Sequence, residues 1–229
     1  KMLKSTVLLN DFSKVKNMSI DFRRFPKEAE NKLQPQYQRR VQFNQEILSL
    51  FPVKSASIGH LFNNNNLHRS LCSSLRKASN LEELEIGTYD CERLHLLAKM
   101  VRKNKLKSLK IHVKEHDMQS PKVKMMLRKV RKYLRNLQVI QVLPIKIASN
   151  RGLNPFDFAD MLRLLGGSQN FKEISLGPFI PSQSRSKLNL FDNELEKYTR
   201  LTQLKLDYIL SNGFVFFRSK SIREYIIQF

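Results

Sequence analysis

The sequence predicts an α/β protein built as a solenoid, with strand and helix units following one another along the chain and the strands joined in one parallel sheet. Three observations carry this. A six-residue phrase, apolar-x-x-apolar-x-apolar, returns through the chain, helix-period segments separate its copies, and no long linker interrupts the series. At 229 residues and 41% hydrophobic content the chain can build one sizeable folded domain over residues 1–229.

The clearest copies are LEELEI from Leu81, LKSLKI from Leu106, LQVIQV from Leu137, FKEISL from Phe171 and LTQLKL from Leu201. Weaker copies are VKNMSI from Val15, VKSASI from Val53 and IREYII from Ile222. Their starts are separated by 38, 28, 25, 31, 34, 30 and 21 residues. Intervals of this size leave room for a strand, a turn and a helix in each unit.

This phrase resembles the L-x-x-L-x-L core of the leucine-rich repeat family, and the intervals near 28 residues resemble its longer, helix-containing, ribonuclease-inhibitor-like type. The likeness runs from about Val15 to the end. It implies about 7 or 8 irregular units with the parallel sheet on a concave face and helices on a convex face. The Asn or Cys that the family carries three residues after the phrase is replaced here by Tyr89, Lys114 and Phe179, which implies irregular curvature.

Helical periodicity fills the intervals. Over Cys91–Lys103, Leu94, Leu97, Ala98 and Val101 share one stripe behind a capping Asp90. Further helices are expected over Gln36–Leu50, Leu67–Lys77, Asn154–Leu165 with Pro155 in its first turn, and Leu188–Tyr198. Gly166 and Gly167 read as a helix stop before the next strand. Each unit buries its apolar side only against its neighbours. Because Phe229 follows the last phrase at once, and because the chain starts at Lys1 rather than Met, the domain is expected to be a piece of, or continuous with, a longer chain.

Charge is the second strong signal. The chain holds 41 Lys and Arg against 20 Asp and Glu, a formal net charge of +21, which calls for an acidic partner. Between Lys99 and Arg135 stand fourteen basic residues against Glu115 and Asp117, a net +12. The segment PKVKMMLRKVRKYLRN is an amphipathic helix in which Val123, Met126, Leu127, Val130 and Leu134 form the apolar arc. Its cations and those of the preceding helix, namely Lys99, Arg102, Lys103, Lys124, Arg128, Lys129, Arg131, Lys132 and Arg135, are expected to merge into one convex basic face. Like charges four apart, such as Lys124/Arg128, weaken a bare helix, which sets an external counter-charge on an equal footing with simple solvation.

The resemblance places the residues between the apolar phrase positions on the concave face, where family members dock partners. Glu83, Glu85, Lys110, Val139, Gln141 and Lys205 are the candidates there. Glu82, Glu83 and Glu85 next to Lys107 and Lys110 also fit cross-strand charge pairs of structural use.

Catalysis has no support. The chain has no P-loop, dinucleotide fingerprint, nucleophile elbow or H-E-x-x-H motif. His112 and His116 fall on a strand end and a loop, so helical metal ligation fails, and Cys72 and Cys91 lack ligand spacing. No cofactor, metal or small-molecule substrate is expected. The two cysteines fit a reducing, intracellular setting, cytoplasmic or nuclear, and no apolar run spans a bilayer.

The leading expectation is a non-catalytic protein–protein interaction scaffold, a subunit of a larger assembly whose basic convex face meets an acidic protein. A second is a nucleic-acid-associated subunit whose same face contacts the phosphate backbone of RNA or DNA. A third, suggested by the resemblance, is the substrate-recognition arm of a ubiquitin ligase.

Overall fold

In the six-residue phrase, alternate side chains from the fourth position onward must point to opposite sides of a strand. A computed structural model describes residues 17–20, 53–58, 73, 75–87, 105–113, 118–144, 155–166, 170–179, 184–208 and 224–228, and each phrase ends in a strand. The strands are β1 (Asn17–Ile20), β2 (Ser55–Ile58), β3 (Glu83–Gly87), β4 (Ser108–Val113), β5 (Val139–Pro144), β6 (Glu173–Phe179), β7 (Gln203–Tyr208) and β8 (Glu224–Gln228). Among the described residues, three helices stand between them: α1 (Pro121–Tyr133), α2 (Pro155–Leu165) and α3 (Arg185–Leu195).

The protein is α/β, with one eight-stranded sheet whose strands lie side by side in sequence order. All neighbours are parallel, and equivalent phrase positions stand opposite one another: Leu84 faces Leu109, Leu109 faces Ile140, Ile140 faces Ile174 and Ile174 faces Leu204. Where burial is described, the first, fourth and sixth phrase positions are buried, as in Leu81, Leu84 and Ile86 or Leu137, Ile140 and Val142. They join the buried side chains of α1, α2 and α3 in one core, so the helices cover that side of the sheet.

Backbone hydrogen bonds recur at the same positions. The carbonyl of Lys54 accepts from the N–H groups of both Glu82 and Glu83; Glu82, Lys107, Gln138 and Lys172 do the same for the next strand. Ahead of three phrases the chain turns through one further bond, from Leu81 to Ala78, Leu137 to Leu134 and Leu201 to Tyr198. These bonds satisfy the groups that the chain exposes as it leaves a helix and enters the sheet.

The helices follow local signals. Ser120 caps α1 by accepting from the Val123 N–H at 3.3 Å, and Pro121 occupies the first turn, where its missing N–H costs nothing. Pro155 opens α2 as expected from the sequence, and α2 ends where Gly166 turns left-handed at φ +78°. Helix α3 lies three residues earlier than the expected Leu188–Tyr198. Apolar spacing misled at this end because Tyr198 is buried without being helical. It belongs to the turn into β7, and its hydroxyl donates to the Leu162 carbonyl of α2. Phe158 of α2 meets Phe191 of α3 edge to face at 5.3 Å.

One strand departs from strict register. Between Ser175 and Pro178 of β6, Leu176 and Gly177 stand against Leu206 alone, a bulge that Gly177 permits at φ +67°. A β-carbon there would lie 2.6 Å from the Met118 methyl, and Met118 is buried over this end of the core. The helices expected over Gln36–Leu50 and Cys91–Lys103, the Asp90 cap, His116 and residues 67–72 lie outside the described residues. Of the helix expected to end at Lys77, Leu75–Lys77 are helical.

Candidate docking surfaces

Helix α1 turns Val123, Met126, Leu127 and Val130 inward, which leaves its cations outside. Arg128, Arg131, Lys132 and Arg135 are exposed and Lys129 is half-buried. Two of the set also reach toward α2. Lys124 pairs with Asp160 at 2.8 Å, and the Arg131 side chain lies over Gly166, filling the space that a β-carbon would need. Three acids of α2 and α3 have contacts within the fold: Asp157 accepts from Gln119, Asp160 from Lys124, and Glu194 from Arg163 at 3.2 Å and Lys197 at 2.8 Å. Glu194 has only 9% of its side chain exposed. Burial pushes its carboxyl up, but the hydrogen bonds from Lys197 and Arg163 outweigh this and hold it below the ordinary value of 4.5. The remaining members of the expected basic face, Lys99, Arg102 and Lys103, lie outside the described residues. Met125 is exposed among these cations.

The charge counted along residues 99–135 divides in space. Lys110 stands on the sheet face away from the helices, paired with Glu85 at 3.3 Å. Lys105 and Lys107 stand at the entrance to β4, on the edge where every turn from a helix enters the sheet. That edge is itself basic. Ahead of β3 stand exposed Arg76 and Lys77 at a helix end, ahead of β5 Arg131 and Lys132 in the last turn of α1 with Arg135 in the turn that follows, and ahead of β7 Lys197 and Arg200. Lys54, Lys107 and Lys172 add exposed cations at the second phrase position. Sequence reading missed this edge because its members are scattered along the chain; the signal available was the basic residue at the second position of five of the eight phrases.

The sheet face opposite the helices holds Glu83, Glu85, Lys110, Val139, Gln141 and Lys205, all at the third and fifth phrase positions. Parallel register brings opposite charges side by side there. Besides Lys110, the Glu85 carboxylate meets His112 Nε2 at 2.9 Å, while Glu173 takes Lys205 at 2.8 Å and a hydrogen bond from Gln141. Partial burial raises the Glu85 carboxyl, and the hydrogen bonds from His112 and Lys110 more than reverse it, leaving the group below the ordinary glutamate value. At the edge Lys107 pairs with Glu82 at 2.7 Å, and that hydrogen bond lowers the Glu82 carboxyl despite its exposure. Val139 and Leu143 are half-buried, and the residues after Pro144 lie outside the described set.

Among the described residues, no group of three or more His, Cys, Asp and Glu side chains could hold a metal ion. His112 serves as a partner for Glu85. Among the same residues, no helix is long and apolar enough to cross a membrane. Neither a protein-family model nor a curated protein matches the chain.

Proposed function

We propose that the chain is a leucine-rich-repeat-like solenoid that acts as a non-catalytic scaffold in a larger assembly, docking an acidic protein surface on the outer face of α1. The in-register parallel strands, the shared phrase-to-phrase hydrogen bonds and the helices on one side of the sheet support the solenoid reading. On this reading the helix side is convex.

The observation that carries the docking role is the composition of α1. Its thirteen residues contain no acid, its exposed positions other than Pro121 and Met125 are basic, and among the described residues only Lys124 of this helix forms an ion pair. Like charges four residues apart destabilise the helix by a few tenths of a kcal/mol per pair. An acidic partner removes that repulsion and gains from complementarity at the encounter.

The test is binding of a labelled poly-glutamate peptide to wild type and to a Lys122→Gln, Arg128→Gln, Lys129→Gln variant. Binding that survives about 150 mM salt and weakens at least about tenfold in the variant is the expected result. A wild-type protein that releases the peptide by that salt concentration overturns the reading.

A further inference from the structure

We infer that the helix-to-strand edge is a second binding surface, and that it takes the phosphate backbone of a nucleic-acid duplex without reading its sequence. This goes beyond the scaffold role, which uses the outer face of α1 and names an acidic protein.

The edge is continuous because the strands lie side by side in sequence order. Six strands from β2 to β7 enter from it, and the usual parallel spacing gives a basic line of about 24 Å, the length of about seven phosphates on one strand of a duplex. Among the described residues, each of these strand entries carries at least one cation. Lys105, Arg135 and Lys172 are exposed members with no ion pair among the described residues.

A structural explanation accounts for part of this charge only. Helix C-termini carry partial negative charge, so Arg131 and Lys132 in the last turn of α1 suit their places without any ligand. Lys54, Lys107 and Lys172 occupy the second phrase position, on the strand side of the turn, where a helix end does not account for them. Glu82 answers Lys54 and Lys107, but no described carboxylate answers Lys172.

Two features select nucleic acid over protein. Protein docking sites are built around buried apolar and aromatic anchors, whereas the turns of this edge keep their apolar residues inside: Ala78 is 5% exposed, Leu134 6% and Tyr198 1%. Between the cations stand exposed Asn80, Asn136, Thr199 and Thr202, the kinds of side chain that bond phosphate and sugar. The same lack of exposed rings selects a duplex over a single strand, since unpaired bases bind by stacking on aromatic side chains. Among the described residues, Tyr133 is the one aromatic near the edge that is not buried, and it is half-covered.

The test measures anisotropy of a labelled duplex of about 24 base pairs, as DNA and as RNA, beside a single strand and poly-glutamate. Two variants of equal charge are compared: Lys105→Gln, Arg135→Gln, Lys172→Gln on the edge, and Lys122→Gln, Arg128→Gln, Lys129→Gln on the α1 face. The expected result is duplex affinity that falls about a thousandfold between 50 and 200 mM salt, as for about six neutralised phosphates. The edge variant should lose at least about tenfold and flatten the salt slope by about three, with the α1 variant within about threefold of wild type. Whether DNA or RNA binds tighter names the duplex form. Equal losses in both variants, tighter binding of the single strand, or a poly-glutamate affinity that the edge variant loses as fully as duplex affinity would each overturn the inference. Loss of poly-glutamate binding in the α1 variant alone bears on the scaffold role and leaves the edge untouched.

Discussion

The same strands present two charged regions that behave in opposite ways. On the sheet face away from the helices, Glu85 has Lys110 and His112, and Glu173 has Lys205 and Gln141, so charge closes on itself. On the edge, Arg135 and Lys172 are exposed with no ion pair among the described residues, and Lys105 reaches the Glu82 carboxylate only through its field, without a direct ion pair. Register explains the difference. Residues at the third and fifth phrase positions stand directly opposite residues of the next strand, where a cross-strand pair contributes about 0.2–1 kcal/mol. Turn residues have no such fixed neighbour, so their charge is available to something outside the protein.

The comparison is attacked hardest at Gly177, where the sheet face loses its register. Gly177→Ala must force an alanine to φ +67° and displace the Met118 methyl from 2.6 Å. A loss of about 2 kcal/mol is expected, read as a lower midpoint in urea. Binding at the edge should survive this change at temperatures where the variant is folded, because the edge is at the other end of the strands. A loss of duplex affinity in a folded Gly177→Ala protein would mean that the two regions are not independent.

Glu194 comes next, because it shows what the helix side looks like when an acid is present. Replacing it with Gln keeps its shape and removes the charge that Arg163 and Lys197 share, at an expected cost of about 1 kcal/mol. The sign with pH follows from its lowered carboxyl. Its contribution is fully present above the ordinary value of 4.5 and disappears as pH falls through the lower folded-state value. Urea unfolding between about pH 7 and pH 3 should show wild type losing stability below that value and the variant losing less. On the sheet face, Glu173→Gln should cost somewhat under 1 kcal/mol, because Lys205 remains partly solvated and Gln141 can still bond the amide.

Much of the fold was legible in the sequence because one six-residue pattern fixes both the side-chain alternation and the register. Leu84, Leu109, Ile140, Ile174 and Leu204 fall opposite one another simply by occupying the fourth phrase position. The end of α3 was not legible, because Tyr198 continues the apolar spacing of a helix while belonging to a turn. The bulge at Gly177 was equally hidden, since a glycine near a strand end reads the same whether or not it turns left-handed. The α1 cations were legible from one helical segment, and the pairs of Glu82 and Glu85 from adjacent phrases. The edge was not, because Lys54, Lys107 and Lys172 are neighbours of nothing in sequence and are aligned only by the sheet.

The smallest expected effect is the one whose sign separates the regions. Neutralising a charge on the sheet face removes a partner and destabilises, whereas Arg128 on α1 has like charges four residues away on both sides, Lys124 and Lys132. Lys124 is held by Asp160, so its repulsion is partly answered, but Lys132 is exposed and without an ion pair among the described residues. Arg128→Gln keeps a residue of good helix propensity and deletes both repulsions, so stability should rise by a few tenths of a kcal/mol at low salt. The gain should shrink as ionic strength shortens the reach of the charges. Matched urea titrations of Arg128→Gln and Glu173→Gln at about 20 and 300 mM salt would then show opposite signs that converge. A loss of stability in Arg128→Gln would show that this arginine is held within the fold, and would remove it from the surface offered to an acidic partner.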